Sequence, residues 1–301
     1  GKMNQPYLGY PVGTAAMGLR HLFNHASLHA VDCIEPQMPS YDFVSVAVNV
    51  IEGKEPFFVP YYLKAYQSLP WAAIDYQPIS APYYMFGTAL FALYLEEAVG
   101  DGDGRLLSAC WEHAAQDGHI LKFNGEFATA DVPNQPDFLA AVDTELKSRG
   151  TSLEAEYVRF AEWRFFLAGD ADAAHFAHGA EWTTGKVARE ATLTAAQVPV
   201  AEAAAVAKLA PTGMGYVELT TAGLPSDRAL TVSFTGNPAN RWAARVLRIP
   251  STGVADAVAV PLADDHQGSL AIENPTAYAR IVLVVVNLGQ GAHDTSLFLW
   301  S

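Results

Sequence analysis

Gly18-Leu19-Arg20-His21-Leu22-Phe23-Asn24-His25-Ala26-Ser27-Leu28-His29-Ala30-Val31-Asp32 sets three histidines four residues apart in a largely apolar stretch. The spacing predicts a helix over about Gly13–Glu35, with the imidazoles of His21, His25 and His29 along one drifting stripe and Asp32 one turn further on. Leu19, Leu22, Phe23, Ala26 and Cys33 take the other side. Two imidazoles one helical turn apart can share a tetrahedral cation. A solvated polar stripe, or rings donating to carbonyls inside a helical bundle, satisfies the same spacing.

Apolar recurrence at three and four residues continues outward from this segment. It predicts helices over Tyr41–Glu52, Pro56–Leu69, Tyr83–Gly100, Leu106–Asp117, Pro136–Ser148 and Leu153–Ala168. Asp137 and Ser152 sit where helix starts want a capping side chain, and Gly100, Gly118 and Gly150 where helix ends want a left-handed residue. From Met214 the pattern changes to β-branched runs cut by turn residues. Strands are expected at Tyr216–Thr221, Leu230–Thr235, Trp242–Ile249, Ala257–Pro261, Ser269–Glu273, Ile281–Asn287 and Ser296–Trp300. The expected architecture is therefore multi-domain α and β: a helical domain over 1–190, an Ala-rich linker over 191–211 and an antiparallel β-sandwich over 212–301.

Composition narrows the classes of function. The chain of 301 residues is 50% hydrophobic and 17% charged, which suits a globular protein of two domains. A formal charge of -14 repels a polyphosphate partner, so nucleic acid is not an expected ligand. No apolar run approaches the roughly 20 residues of a membrane span. Cys33 and Cys110 are the only cysteines, which leaves room for one bridge or two buried thiols and excludes a disulfide framework. The start Gly1-Lys2-Met3 has no charged-then-apolar leader and reads as a trimmed end, so an export signal is not visible in it.

His25-Ala26-Ser27-Leu28-His29-Ala30-Val31-Asp32 resembles the active helix of zincin metallopeptidases, whose pattern is His-Glu-x-x-His, and in particular that of exported bacterial metalloprotease-like proteins. The likeness extends to Phe43-Val44-Ser45-Val46-Ala47-Val48-Asn49-Val50-Ile51 as the second helix, to Met85-Phe86-Gly87 running into Leu95-Glu96-Glu97-Ala98-Val99-Gly100, and to Phe160-Ala161-Glu162-Trp163. It implies an exported protein with a zincin-like helical domain followed by a sandwich, and zinc as the cofactor of a retained site. The departures bear on chemistry. The family's general base follows the first histidine, where this chain has Ala26, which cannot take a proton from zinc-bound water. The third ligand position falls on Val46, which cannot bind metal. Loss of the base alone removes about 10²–10⁴ in rate.

These residues predict a catalytically impaired, metallopeptidase-like protein of the envelope or exterior that needs no cofactor and acts in binding or as a structural component. Two alternatives stand beside it: a zinc hydrolase with a rearranged site built from His25, His29 and Glu52 or His21, and a peptide-, protein- or glycan-binding module working through the sandwich. Elsewhere, Asp101-Gly102-Asp103-Gly104 lacks the further oxygen ligands of a calcium loop and reads as a turn. Glu96 and Glu97 diverge by about 100° on a helix and do not share a proton. His175 and His178, with Asp170 and Asp172 nearby, suit either a metal or a surface turn. His113 and His119 have no fixed partner in the sequence. The aromatic residues Tyr61, Tyr62, Trp71, Tyr76, Tyr83 and Tyr84 fit interhelical packing or a ligand groove.

Overall fold

The computed structural model describes residues 47, 50, 53, 56–74, 83–114, 138–199, 207–289 and 296–300. Chain contacts divide it into two compact units, one of Gly1–Tyr66 with Asp75–Tyr157 and one of Gln67–Ile74 with Val158–Ser301. Helices and mainly antiparallel sheets are both present, so the α and β class holds. The helix expected over Gly13–Glu35 lies outside the described residues. Of the helix expected over Tyr41–Glu52, Ala47 and Val50 are described and are helical.

The described helices are α1 (Lys64–Ser68), α2 (Tyr84–Gly87), α3 (Ala89–Tyr94), α4 (Arg105–Ala114), α5 (Phe138–Ser148) and α6 (Leu153–Phe165). Wider π-type turns at Phe58–Leu63 and Leu95–Val99 precede α1 and follow α3. All seven residues from Ala89 to Leu95 are buried, so α3 is the apolar axis of the first unit and not an amphipathic surface helix. A Cβ at Gly87 would strike the Tyr62 carbonyl and the Tyr66 Cβ, so α2 meets the Phe58–Leu63 turn at a distance that only glycine permits.

Two helix ends show how local chemistry sets the turns. Gly150, with φ +80, closes α5: its amide donates to Lys147 O at 3.1 Å and the Thr151 amide to Leu146 O at 3.0 Å. That is the paired reversal that satisfies the last carbonyls of a helix. Ser152 then opens α6 by accepting the Ala155 amide at 3.2 Å on its Oγ. Gly100, expected to be left-handed, is extended instead, with φ -83. It is small for a different reason: a Cβ there would come within 3.0 Å of the Glu96 carbonyl and carboxylate. The left-handed positions of this turn are Gly102 and Gly104, with φ of +70 and +76. Gly118 lies outside the described residues.

The second unit is built on nine described strands: β1 (Ala191–Leu193), β2 (Ala207–Leu209), β3 (Met214–Thr220), β4 (Leu230–Gly236), β5 (Trp242–Ile249), β6 (Asp256–Ala259), β7 (Gln267–Ile272), β8 (Arg280–Asn287) and β9 (Ser296–Trp300). The sheets have the orders β1-β3-β8-β5-β6 and β2-β9-β4-β7. The pairing is antiparallel except for β1, which runs parallel to β3. The expected strands correspond to β3 through β9. β1 and β2 fall within 191–211, where composition predicts a linker.

Leu209, Val217, Phe234, Val246, Ile272 and Leu283 come from both sheets and pack in one cluster, which makes the pair a sandwich. β8 is buried on both faces. Ile281, Leu283 and Val285 point into the sandwich, and Val282, Val284 and Val286 are equally buried on the other side. That outer face of the five-stranded sheet packs under Val158–Phe165 of α6: the Tyr216 hydroxyl donates to Ala161 O at 2.9 Å and its ring meets Phe165. Burial on two faces explains why Ile281–Val286 is an unbroken apolar run where β4 alternates. Gln67–Ile74 is stitched to the same unit, since the Met214 amide donates to Pro70 O at 2.7 Å and the Ala210 amide to Trp71 O at 2.9 Å.

Candidate functional site

His21, His25, Ala26, His29, Val46 and Glu52, on which the metal and catalytic expectations rest, lie outside the described residues, as do Cys33, Tyr76 and His119. Among the described residues, no group of three or more His, Cys, Asp or Glu side chains is arranged to hold a metal. No described helix is long and apolar enough to cross a membrane.

In the first unit the buried carboxylates hold helix ends. Glu96, 1% exposed, accepts the Gly104 amide at 2.8 Å on one oxygen and the Leu107 amide at 3.0 Å on the other. It thereby caps α4, where unpaired amides and the helix dipole favour an anion. Glu97 points outward, as expected for adjacent residues on a helix. The Asp101–Gly104 segment is the turn between them: Asp103 accepts the Arg105 amide at 2.9 Å and pairs with the Arg105 Nε at 3.0 Å. Glu156 accepts the Tyr94 hydroxyl at 2.5 Å and the Thr151 hydroxyl at 2.8 Å. Glu145 lies 3.2 Å from the His113 Nε2 and accepts the Arg149 Nε at 2.7 Å. Cys110 is a free buried thiol. Burial, with Glu145 and Glu96 nearby, pushes its pKa up to about 12.

The second unit carries a compact ion network. Asp170 accepts from the Arg189 Nη2 at 2.6 Å and the Arg280 Nη1 at 2.5 Å, while Glu218 accepts from the Arg189 Nε at 3.0 Å. Burial works against the Asp170 anion, but the two guanidinium groups outweigh it and hold the carboxyl below its usual range. Glu162 goes the other way: burial raises its pKa although Arg245 and Arg159 oppose the shift. The Arg245 Nε is 2.7 Å from Glu162 yet makes no hydrogen bond, so the pair is an ionic contact only.

His175 and His178 do not converge on one ligand position. The His175 Nδ1 is 2.5 Å from Asp172 Oδ1, and its ring stacks on Phe166 at 4.0 Å with the Trp163 edge at 5.3 Å. Burial lowers the pKa of this ring in spite of Asp172. His178 is exposed and pairs with Glu181 at 3.3 Å.

Among the described residues, a slot of about 360 Å³ between the two sheets has ligand-binding dimensions. Its floor is Val217, Leu219, Ile281 and Leu283, which face each other as the pairs Val217–Leu283 and Leu219–Ile281 across β3 and β8. Leu193, Val198 and Pro199 close one side. Residues 229–233 form the opposing wall, including both inward Leu230 and Val232 and outward Thr231 and Ser233. The sandwich is shut beyond this point, where Phe234 is 1% exposed and meets Trp242 with ring centroids 5.7 Å apart. Leu230 and Val232, four and two residues earlier on the same face, are only half-buried. The alternation Leu230-Val232-Phe234 marks this face as core in sequence; that the core stays open beneath two of the three is a long-range property.

The aromatic residues divide between both expectations. Tyr84 is buried against Tyr66, whereas Phe57, Tyr61 and Tyr83 are about half-exposed and stand in ring contact, with Tyr61 and Tyr83 centroids 5.9 Å apart. Trp71 is 37% exposed. A scan against protein-family models finds no match for this chain, and a search of curated proteins finds none either.

Proposed function

We propose that this protein is a catalytically impaired, metallopeptidase-like binding protein of the cell envelope or exterior, with the sandwich as its recognition part. The observation that carries this reading is the occupancy of two positions in the zincin-like pattern: Ala26 where the general base stands and Val46 where the third ligand stands. Neither side chain can accept a proton or donate to a metal, so water activation has no agent at those positions. The inter-sheet slot supports the binding half of the reading, since a concave apolar site with a few polar groups at its rim is the usual form of a ligand pocket. The buried carboxylates Glu96 and Glu156 support it from the other side, because their oxygens accept from backbone amides and hydroxyls that hold helix ends.

The alternative of a rearranged zinc hydrolase draws on the spacing of His21, His25 and His29. One experiment separates the two. The purified chain is incubated with zinc, its metal content measured, and hydrolysis of casein and of a quenched peptide library followed with and without chelator. The expected result is no chelator-sensitive hydrolysis. Hydrolysis that disappears with chelator and with His25→Ala overturns the proposal.

A further inference from the structure

We propose that residues 168–179 are an acid-released loop, whose tip leaves α6 when His175 is protonated while the sandwich stays folded. Ala168–Asp170 is one short helical turn, and the chain from Ala171 to Gly179 then has neither helix nor strand. Its two ends are joined, since the Ala168 amide donates to Gly179 O at 2.8 Å. A loop closed at its base and packed by its own side chains is an Ω-loop, a unit that can open without its surroundings. Here the packing side chains are Asp172, His175 and Phe176.

Base and tip are attached by different chemistry. At the base, Asp170 is held by Arg189 at 2.6 Å and by Arg280 at 2.5 Å, and its depressed pKa keeps those pairs intact in mild acid. At the tip, the His175 ring lies on Phe166 with centroids 4.0 Å apart, and Trp163 of α6 meets both His175 and Phe176 edge-on. His175 is the titratable member of that stack. Its Nδ1 is 2.5 Å from Asp172 Oδ1, which also accepts the Ala174 amide at 2.9 Å, and its side chain is 12% exposed. The charged groups that bear on the ring are Asp172 on the loop and Arg159 on α6. Loss of water is the largest influence and disfavours the imidazolium, Arg159 adds to it, and Asp172 opposes both. Opening hydrates the imidazolium and also gives water to Asp172 Oδ2, which is buried without a hydrogen-bond partner in the closed loop. The closed loop therefore prefers the neutral ring and the open loop the charged one, so opening grows as pH falls below 6.5. It uncovers Phe166 and Phe176, each 2% exposed when the loop is shut.

Amide hydrogen exchange of the full chain at pH 7.5 and pH 5.5, with the intrinsic pH dependence of exchange divided out, tests this. The reporters at the tip are the amides of Ala174 and Gly179, bonded to Asp172 Oδ1 and Phe176 O; those at the base and in the core are the amides of Ala168 and of Val282 to Val286. The expected result is about fivefold loss of protection at Ala174 and Gly179 at the lower pH, with the base and core amides unchanged. His175→Phe, which keeps an aromatic ring on Phe166, makes the tip insensitive to pH. Arg159→Gln, which removes the opposing cation, lessens the loss and decides the matter if the His175 variant does not fold. His178→Ala, on the exposed part of the loop, leaves the loss as it is. Loss of protection that reaches Val282 to Val286 in step with the tip, a pH dependence that survives His175→Phe, or one that disappears in His178→Ala overturns the inference.

Discussion

The guanidinium of Arg189 lies 4.5 Å from the centroid of the Phe165 ring while joining Asp170 to Glu218. One side chain thus ties the end of α6 to the loop at Asp170 and to β3, with its charge matched on two edges and its face stacked on an aromatic ring. The Arg189 side chain is 7% exposed and that of Asp170 4%, so neither charge has water to fall back on.

Asp170→Asn leaves Arg189 and Arg280 short of an anion in a buried setting. Breaking a buried pair by removing one partner costs about 3–5 kcal/mol. The urea midpoint should fall accordingly, with the slope unchanged.

Acid should act on the same carboxylate. Its folded pKa is depressed below the ordinary value of 3.8, so its contribution is intact above that pH and is lost as pH falls through the lower, folded value. Stability measured from pH 5 to pH 2 should decline more steeply in the natural chain than in Asp170→Asn.

His175 gives a second, separate window. Burial lowers its pKa below 6.5 despite Asp172, so the unfolded chain takes up the proton first. Its contribution is present above pH 6.5 and declines as pH falls through the folded value. Melting temperatures between pH 7.5 and pH 5 should drop in the natural chain and stay flatter in His175→Phe.

Gly87→Ala places a Cβ against the Tyr62 carbonyl, and overpacking of this kind costs about 1–3 kcal/mol. Gly169→Ala meets nothing within 4 Å and should stay within about 0.5 kcal/mol of the natural chain. Parallel denaturant curves of the two variants test the close crossing against a generic glycine effect.

Cys110, with its pKa pushed up to about 12, should resist iodoacetamide at pH 8 until the protein unfolds. Measured in a Cys33→Ser background, alkylation should track the fraction unfolded.

Much of the sandwich was legible because its signals are local. Trp242–Ile249 and Ser296–Trp300 have the bounds that the sequence predicts, from β-branched content in the first and aromatic content in the second. β1 and β2 were not legible: each is three residues long, and Ala191-Thr192-Leu193 and Ala207-Lys208-Leu209 become strands only by pairing with β3 and β9. Gly100 shows the same limit at one residue, since its smallness answers to Glu96 and not to a left-handed turn. The slot was hidden for a related reason, because it is lined jointly by residues of β3, β4 and β8, which lie far apart in the sequence. The histidine stripe stands as sequence reasoning, on residues outside those described.

Gln67–Ile74 belongs to the second unit although the residues on either side of it belong to the first. A gene fragment beginning anywhere after Tyr157 would encode the sandwich without this strap, leaving the amides of Ala188, Ala210 and Met214 bereft of the carbonyls of Gln67, Trp71 and Pro70. Neither unit is a contiguous cassette. A cut after Tyr157 keeps the first unit whole but strips the second of its strap, so expression trials of the sandwich should carry the strap in trans or graft it on through a designed loop.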